Sequence, residues 1–177
     1  MKPGSPAADF TYGIALGSNL GDRLANLQRG LAEVLARVPG AVLLVAAPAY
    51  ETMPVGCPPG SQSFYNSVVE LRCPLAPHAL HRVLQAVEKL MGRPSERERN
   101  APRPLDLDIL YAGDVRLDDE VLTIPHPRLH VRRFVLQPLA DIRPGLVLPG
   151  FTVAAGELLE ALPEEPGMMT LAMREWA

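Results

Sequence analysis

Hydrophobic positions along this chain switch between a period of two and a period near 3.6, and each change of period marks an element. Residues 11–16, TYGIAL, predict a first strand, and GSNLGD after them predicts a turn. Leu24, Leu27, Leu31, Val34, Leu35 and Val38 then recur at helical spacing, so a helix with one core face follows, stopped by Pro39-Gly40. A second strand is expected from Val42 to Tyr50 and a third from Ser67 to Leu71, with a long Pro/Gly-rich connection from Thr52 to Gln62 between them. Pro77 suits the first turn of a second helix. Its apolar set is Leu80, Val83, Leu84, Val87, Leu90 and Met91, and Gly92 ends it.

A second long connection, Arg93 to Pro104, leads to RPLDLDILY at 103–111, a strand pattern that carries two aspartates. Alternate side chains point to opposite faces, so Leu105, Leu107 and Ile109 share one face, and Asp106 and Asp108 share the other, about 7 Å apart at Cα. The order βαββαβ predicts an α+β fold: a ferredoxin-like core with an antiparallel sheet, helices packed on one face, and the other face free to be polar. Short elements follow: a strand near Val121 to Ile124, helical turns over 128–140 and a last helix near 155–162. No repeat is visible. Residues 1–10 read as a loose leader and 11–177 as a single domain.

Composition narrows the classes of function. Hydrophobic residues are 47% and charged residues 21%, with no apolar run near the roughly 18 residues of a membrane span, so no membrane role is suggested. Two cysteines, Cys57 and Cys73, and no secretory signal favour a cytoplasmic protein with unpaired thiols. The net charge of −3 argues against nucleic acid as a partner. Positive charge is nonetheless concentrated: Arg93, Arg97, Arg99, Arg103, Arg116, Arg128, Arg132 and Arg133 cluster around the aspartate strand.

Two carboxylates side by side disfavour joint ionisation unless positive charge lies nearby. Three readings of the pair stand at this stage: a solvated sheet face, a self-neutralising network with Arg103, Arg93 and the basic residues of LTIPHPRLHVRRF, or a Mg²⁺–triphosphate site. For the last, Mg²⁺ takes one or two carboxylates plus phosphate oxygens and waters, and arginines hold the remaining phosphate charge. Other phosphate schemes lack their parts. There is no G-x-x-x-x-G-K-[ST], Lys2 and Lys89 are the only lysines, and Gly13, Gly17 and Gly21 do not form the dinucleotide fingerprint. His78 and His81 have no partners at zinc spacing and read as surface helix residues.

Taken together, GSNLGDR at 17–23, YETMPVG at 50–56, FYNSVVEL at 64–71, RNAPRPLDLDILY at 99–111 and IPHPRLHVRRFVLQPL at 124–139 resemble the 6-hydroxymethyl-7,8-dihydropterin pyrophosphokinases of folate synthesis, over roughly Thr11 to Pro149. The resemblance implies transfer of the β,γ-diphosphate of ATP to the pterin's hydroxymethyl oxygen, releasing AMP. It implies that Asp106 and Asp108 hold two Mg²⁺ ions, that Arg93 and Arg103 act on the phosphates from a mobile loop, and that His126 and Arg132 bind phosphate. Gln85, Glu88, Ile109 and Thr123 match positions near the nucleotide. Phe64 and Phe134 match the rings that stack on the pterin, Asn66 the amide on its polar edge, and Thr52 and Val55 backbone groups on that edge. The implied partners are these two small molecules, and the chain is expected to be a monomer.

The pattern departs at Met53, where some members have Pro; at Asn100-Ala101, where many have Trp or Asn followed by Gly; at Pro127, which replaces a Tyr; and at Glu96, where a basic residue sometimes occurs. These bear on loop flexibility, adenine contact and rate. Two rival functions are a catalytically silent pterin- or nucleotide-binding module and a Mg²⁺-dependent phosphohydrolase. Asp106, Asp108, Arg93 and Arg103 are all present against the first, and the planar-ring set Phe64, Asn66 and Phe134 counts against the second. The sequence assigns no role to the tail past about Gly150.

Overall fold

The computed structural model describes residues 9–54, 60–92, 102–164 and 167–177. In chain order its elements are β1 (Phe10–Ser18), α1 (Arg23–Arg37), β2 (Val42–Ala46), β3 (Ala49–Thr52), β4 (Phe64–Cys73), α2 (Pro77–Leu90), β5 (Asp106–Ala112), β6 (Leu117–Asp118), β7 (Thr123–Ile124), a 3-10 turn (Leu129–Val131), α3 (Arg133–Ile142), α4 (Ala155–Glu160) and β8 (Met169–Met173).

Local chemistry explains where the two long helices start. Asp22 caps α1 by accepting the Ala25 N–H at 3.1 Å, and Pro77 opens α2, where its missing N–H costs nothing. Both helices bury one stripe, Leu27, Leu31 and Val34 on α1 and Leu80, Leu84 and Val87 on α2. These pack with Tyr12, Ile14, Leu16, Val69, Leu71, Leu107 and Ile109 into one core on one side of the sheet.

The sheet runs β5-β1-β4-β3-β8, with β2 also on β4, and every pairing is antiparallel. The single strand expected from Val42 to Tyr50 is two strands. Pro48 lies between β2 and β3 and has no N–H to give to a ladder, yet both halves pair with β4. The strand expected at 67–71 runs from Phe64 to Cys73. The C-terminal β8 was not foreseen; Trp176 beyond it anchors the tail, its indole N–H donating to the Ala47 carbonyl at 2.7 Å. Cys73 is a buried free thiol whose pKa burial pushes up, and Cys57 lies outside the described residues.

The second sheet face is not simply polar. Half of it is a second core in which Val68, Leu110 and Tyr111 pack under Val135, Leu136 and Leu139 of α3. Arg143, just past α3, holds buried Glu70 of β4 through its Nε at 3.0 and 3.1 Å, and Tyr111 donates its hydroxyl to the same carboxylate at 2.8 Å. This fastens the C-terminal end of α3 to the sheet and leaves its N-terminal end beside the aspartates. Room for the Tyr111 ring comes from β1. A Cβ on Gly13 would lie 2.0 Å from the ring, so Gly13→Ala is expected to cost about 2–3 kcal/mol, read as a lower urea midpoint at unchanged slope.

A bulge in β5 decides which residues join this face. Gly13 pairs with Tyr111 and Ile14 with Ile109, so Leu110 is an extra residue. Asp106, Asp108 and Leu110 keep the strand's alternation, and the bulge brings Tyr111 to the same side. Leu110 and Tyr111 thus close the core exactly where the acidic stretch ends.

Candidate active site

The part of this face that α3 leaves uncovered is a cavity of ≈ 370 Å³. Its floor is made by Ala15 and Gly17 of β1, Thr52 of β3, Phe64 and Asn66 of β4, and Asp106 and Asp108 of β5. One wall is the stretch from His126 to Phe134. The other is the tail, where Leu162, Pro163, Met168 and Met169 stand opposite. Arg133, the first residue of α3, ties the two walls by donating from Nη2 to the Leu162 carbonyl at 2.9 Å.

Arg103 Nη2 lies 2.8 Å from Asp106 Oδ2, so part of the self-neutralising network exists. It does not use up the arginine: Arg103 Nε is buried and has no acceptor among the described residues. An N–H left without water or a partner is costly, which fits a site completed by an anion. The Arg103 backbone is fixed by Asn19, fully buried in the β1–α1 turn, which accepts its N–H at 2.8 Å and donates to its carbonyl at 3.2 Å.

His126 Nε2 faces Asp108 Oδ2 at 4.0 Å. The backbone holds the ring there, because the His126 N–H donates to the carbonyl of the bulge residue Leu110 at 2.8 Å and the Arg128 N–H donates to Nδ1 at 3.2 Å. An accepting Nδ1 leaves the proton on Nε2, and burial lowers the imidazole pKa, so His126 is a neutral donor aimed at the acidic floor. Burial, then Arg128, likewise lowers the pKa of Arg132, which stays charged.

Beside the carboxylates, the Arg103 guanidinium is 5.5 Å from the Phe64 ring centre and that of Arg132 is 5.5 Å from the Phe134 ring. Asn66 is 8% exposed and donates from Nδ2 to Thr52 Oγ1 at 2.7 Å. Gly17 has to be glycine here, since a Cβ would stand 2.8 Å from Asn66 Oδ1. Two aromatic rings, a buried amide and a threonine thus border one compartment, and the carboxylates and guanidinium groups border the next.

Of the residues singled out in the sequence, Thr52, Phe64, Asn66, Arg103, Asp106, Asp108, His126, Arg132 and Phe134 line this cavity together. Gln85, Glu88, Ile109 and Thr123 do not. Gln85 is exposed on α2, and Ile109 is in the helix-side core. Buried Glu88 accepts the Leu107 N–H at 2.8 Å, and Thr123 donates to Asp118 Oδ1 at 3.1 Å. Both α2 and β7 pack on β5, which is an edge strand of the sheet. Arg93 and Val55 lie outside the described residues.

Sequence reasoning missed Asn19 and the tail wall, and placed Arg128 and Arg133 in the basic cluster without a role of their own. The GSNLGDR string held part of the signal: besides Asn19, its Arg23 reaches Glu51 Oε1 at 2.8 Å and Ser63 Oγ at 2.6 Å, pinning the ends of the connection between β3 and β4. His78 is a surface residue, as expected, and pairs with Asp119 at 2.9 Å.

Among the described residues no group of three His, Cys, Asp or Glu side chains could hold a metal ion. Asp106 and Asp108 alone offer only oxygen ligands and leave most of an octahedral shell to substrate oxygens and water, which suits Mg²⁺ arriving with a polyphosphate and does not suit zinc. No helix among the described residues is long and apolar enough to cross a membrane.

Residues 13–144 match the family model for 7,8-dihydro-6-hydroxymethylpterin-pyrophosphokinase. The chain is 41% identical to a 2-amino-4-hydroxy-6-hydroxymethyldihydropteridine pyrophosphokinase of Pseudomonas aeruginosa, over 86% of this chain and 91% of that protein. It is 38% identical to a protein of the same name from Synechocystis sp., over 95% and 89%. A folate synthesis bifunctional protein of Pisum sativum is 42% identical over 80% of this chain, which spans only 27% of that longer protein. Among solved structures, Plasmodium falciparum HPPK-DHPS wild type with SDX-DHP superposes with a TM-score of 0.68 at 14% identity, covering 86% of this chain and 44% of that one, a likeness of fold alone.

Proposed function

This chain belongs to the 7,8-dihydro-6-hydroxymethylpterin-pyrophosphokinase family, and from that premise we propose that its cavity transfers the β,γ-diphosphate of ATP to the hydroxymethyl group of 6-hydroxymethyl-7,8-dihydropterin. The hydroxymethyl oxygen attacks the β-phosphorus, the bond from that phosphorus to the oxygen shared with the α-phosphate breaks, the hydroxyl proton is released, and AMP leaves. The observation that carries the reading is the adjacency of the two compartments, a ring slot with one polar edge beside a pair of carboxylates under guanidinium groups.

Each part of the chain has a task. Phe64 and Phe134 hold the flat ring, and Asn66 and Thr52, with the backbone at Val55, read its polar edge. That orientation turns the hydroxymethyl group toward the aspartates. Arg103, Arg132 and His126, joined by Arg93, neutralise and aim the phosphates, so that attacking and leaving oxygens are in line. The nucleoside follows the outer edge of β5, past Gln85, Glu88, Ile109 and Thr123. Asp106 and Asp108 would hold two Mg²⁺ ions, which when bound offset charge on the phosphate oxygens.

Chromatography of the nucleotides formed from ATP and Mg²⁺, with and without the pterin, tests the reading. AMP that forms only with the pterin is the expected result. ADP, or phosphate release without the pterin, would make the chain a phosphohydrolase, and binding without turnover would make it a silent module.

A further inference from the structure

The phosphate contacts proposed above leave one cavity arginine without a task. We infer that Arg128 is a further phosphate-binding residue, acting on the α-phosphate that stays with AMP; the inference rests on the diphosphate-transfer reading.

Arg128 lines the same cavity as Asp106, Asp108 and Arg132, and it is exposed. Its guanidinium makes no ion pair or hydrogen bond among the described residues, whereas Arg103 is engaged by Asp106 and Arg133 by the tail carbonyls. It also sits in the field of Arg132, whose positive charge it opposes. Guanidinium groups gathered beside the two aspartates in one cavity gain by binding a polyanion there.

Position within the cavity decides which phosphate. Arg103 and Arg132 stand near the Phe64 and Phe134 rings, at the pterin end. The Arg128 N–H holds the His126 ring, and His126 borders both this cavity and an adjoining hollow lined by Thr123 and Pro127. That is the nucleoside side of the phosphates. A group that holds the transferred diphosphate would strengthen binding of ATP only, while one that holds the α-phosphate strengthens binding of ATP and AMP alike.

The test is titration calorimetry of AMP and of a non-hydrolysable α,β-methylene ATP with Mg²⁺, on the full chain and on Arg128→Gln, Arg128→Lys and Arg29→Gln. Arg29 is an exposed helix residue and controls for net charge. Arg128→Gln is expected to weaken both nucleotides about tenfold, with partial recovery in Arg128→Lys, no change in Arg29→Gln and unchanged pterin affinity. AMP affinity within twofold of the parent chain overturns the inference. Weakening of the ATP analogue alone would move Arg128 to the transferred diphosphate and also overturn it. Failure of the parent chain to form AMP in the product assay would strike the reaction itself, a separate readout.

Discussion

Asp108→Ala is expected to lower diphosphate transfer at least about a thousandfold while leaving the fold intact. The carboxylate is one of two on the cavity floor, and several kcal/mol of charge stabilisation at the phosphates would go with it. Stability should hardly move in the metal-free protein, because removing one of two like charges relieves repulsion between them. Asp106→Ala is expected to lose as much activity and also about 1 kcal/mol of stability, since Arg103 loses its 2.8 Å partner. Activity assays and urea midpoints on both variants separate the two aspartates. A large loss of stability in Asp108→Ala would return the pair to the role of a structural ion network.

Asn66→Leu should remove pterin binding with little effect on ATP. The side chain is buried and its partner Thr52 is a second polar group of the same slot, so leucine leaves both the ring edge and the threonine hydroxyl unsatisfied. Sites built to hydrogen-bond a ligand reject a mismatch strongly, and about a hundredfold or more in pterin affinity is expected. Calorimetry with the pterin and with the ATP analogue checks it. Equal loss for both ligands would mean that Asn66 supports the cavity floor and does not read the pterin.

Much of this was legible in the chain. Period and punctuation gave both long helices and the order βαββαβ but for the split of the second strand, because each helix depends on local spacing and on Pro39-Gly40, Pro77 and Gly92. The carboxylate face followed from alternation along β5. What could not be read depends on contacts far apart in sequence. β8 pairs with β3 across more than a hundred residues, and its own pattern, MTLAM, does not say whether it is paired. The bulge at Leu110 appears only from the register with β1, yet it supplies the carbonyl that holds His126. Asn19 is equally silent alone: in sequence it is a turn residue, and only the distant backbone of Gln62 and Arg103 gives its amide partners.

The most direct measurement uses ATP labelled at the β-phosphorus, incubated with Mg²⁺, the pterin and the protein, with the products then separated. If the chain transfers a diphosphate, the label leaves the nucleotide and is recovered in the pterin product, with unlabelled AMP in equal amount. Label retained in ADP, or released as free phosphate or diphosphate while the pterin stays unmodified, would contradict diphosphate transfer at this site.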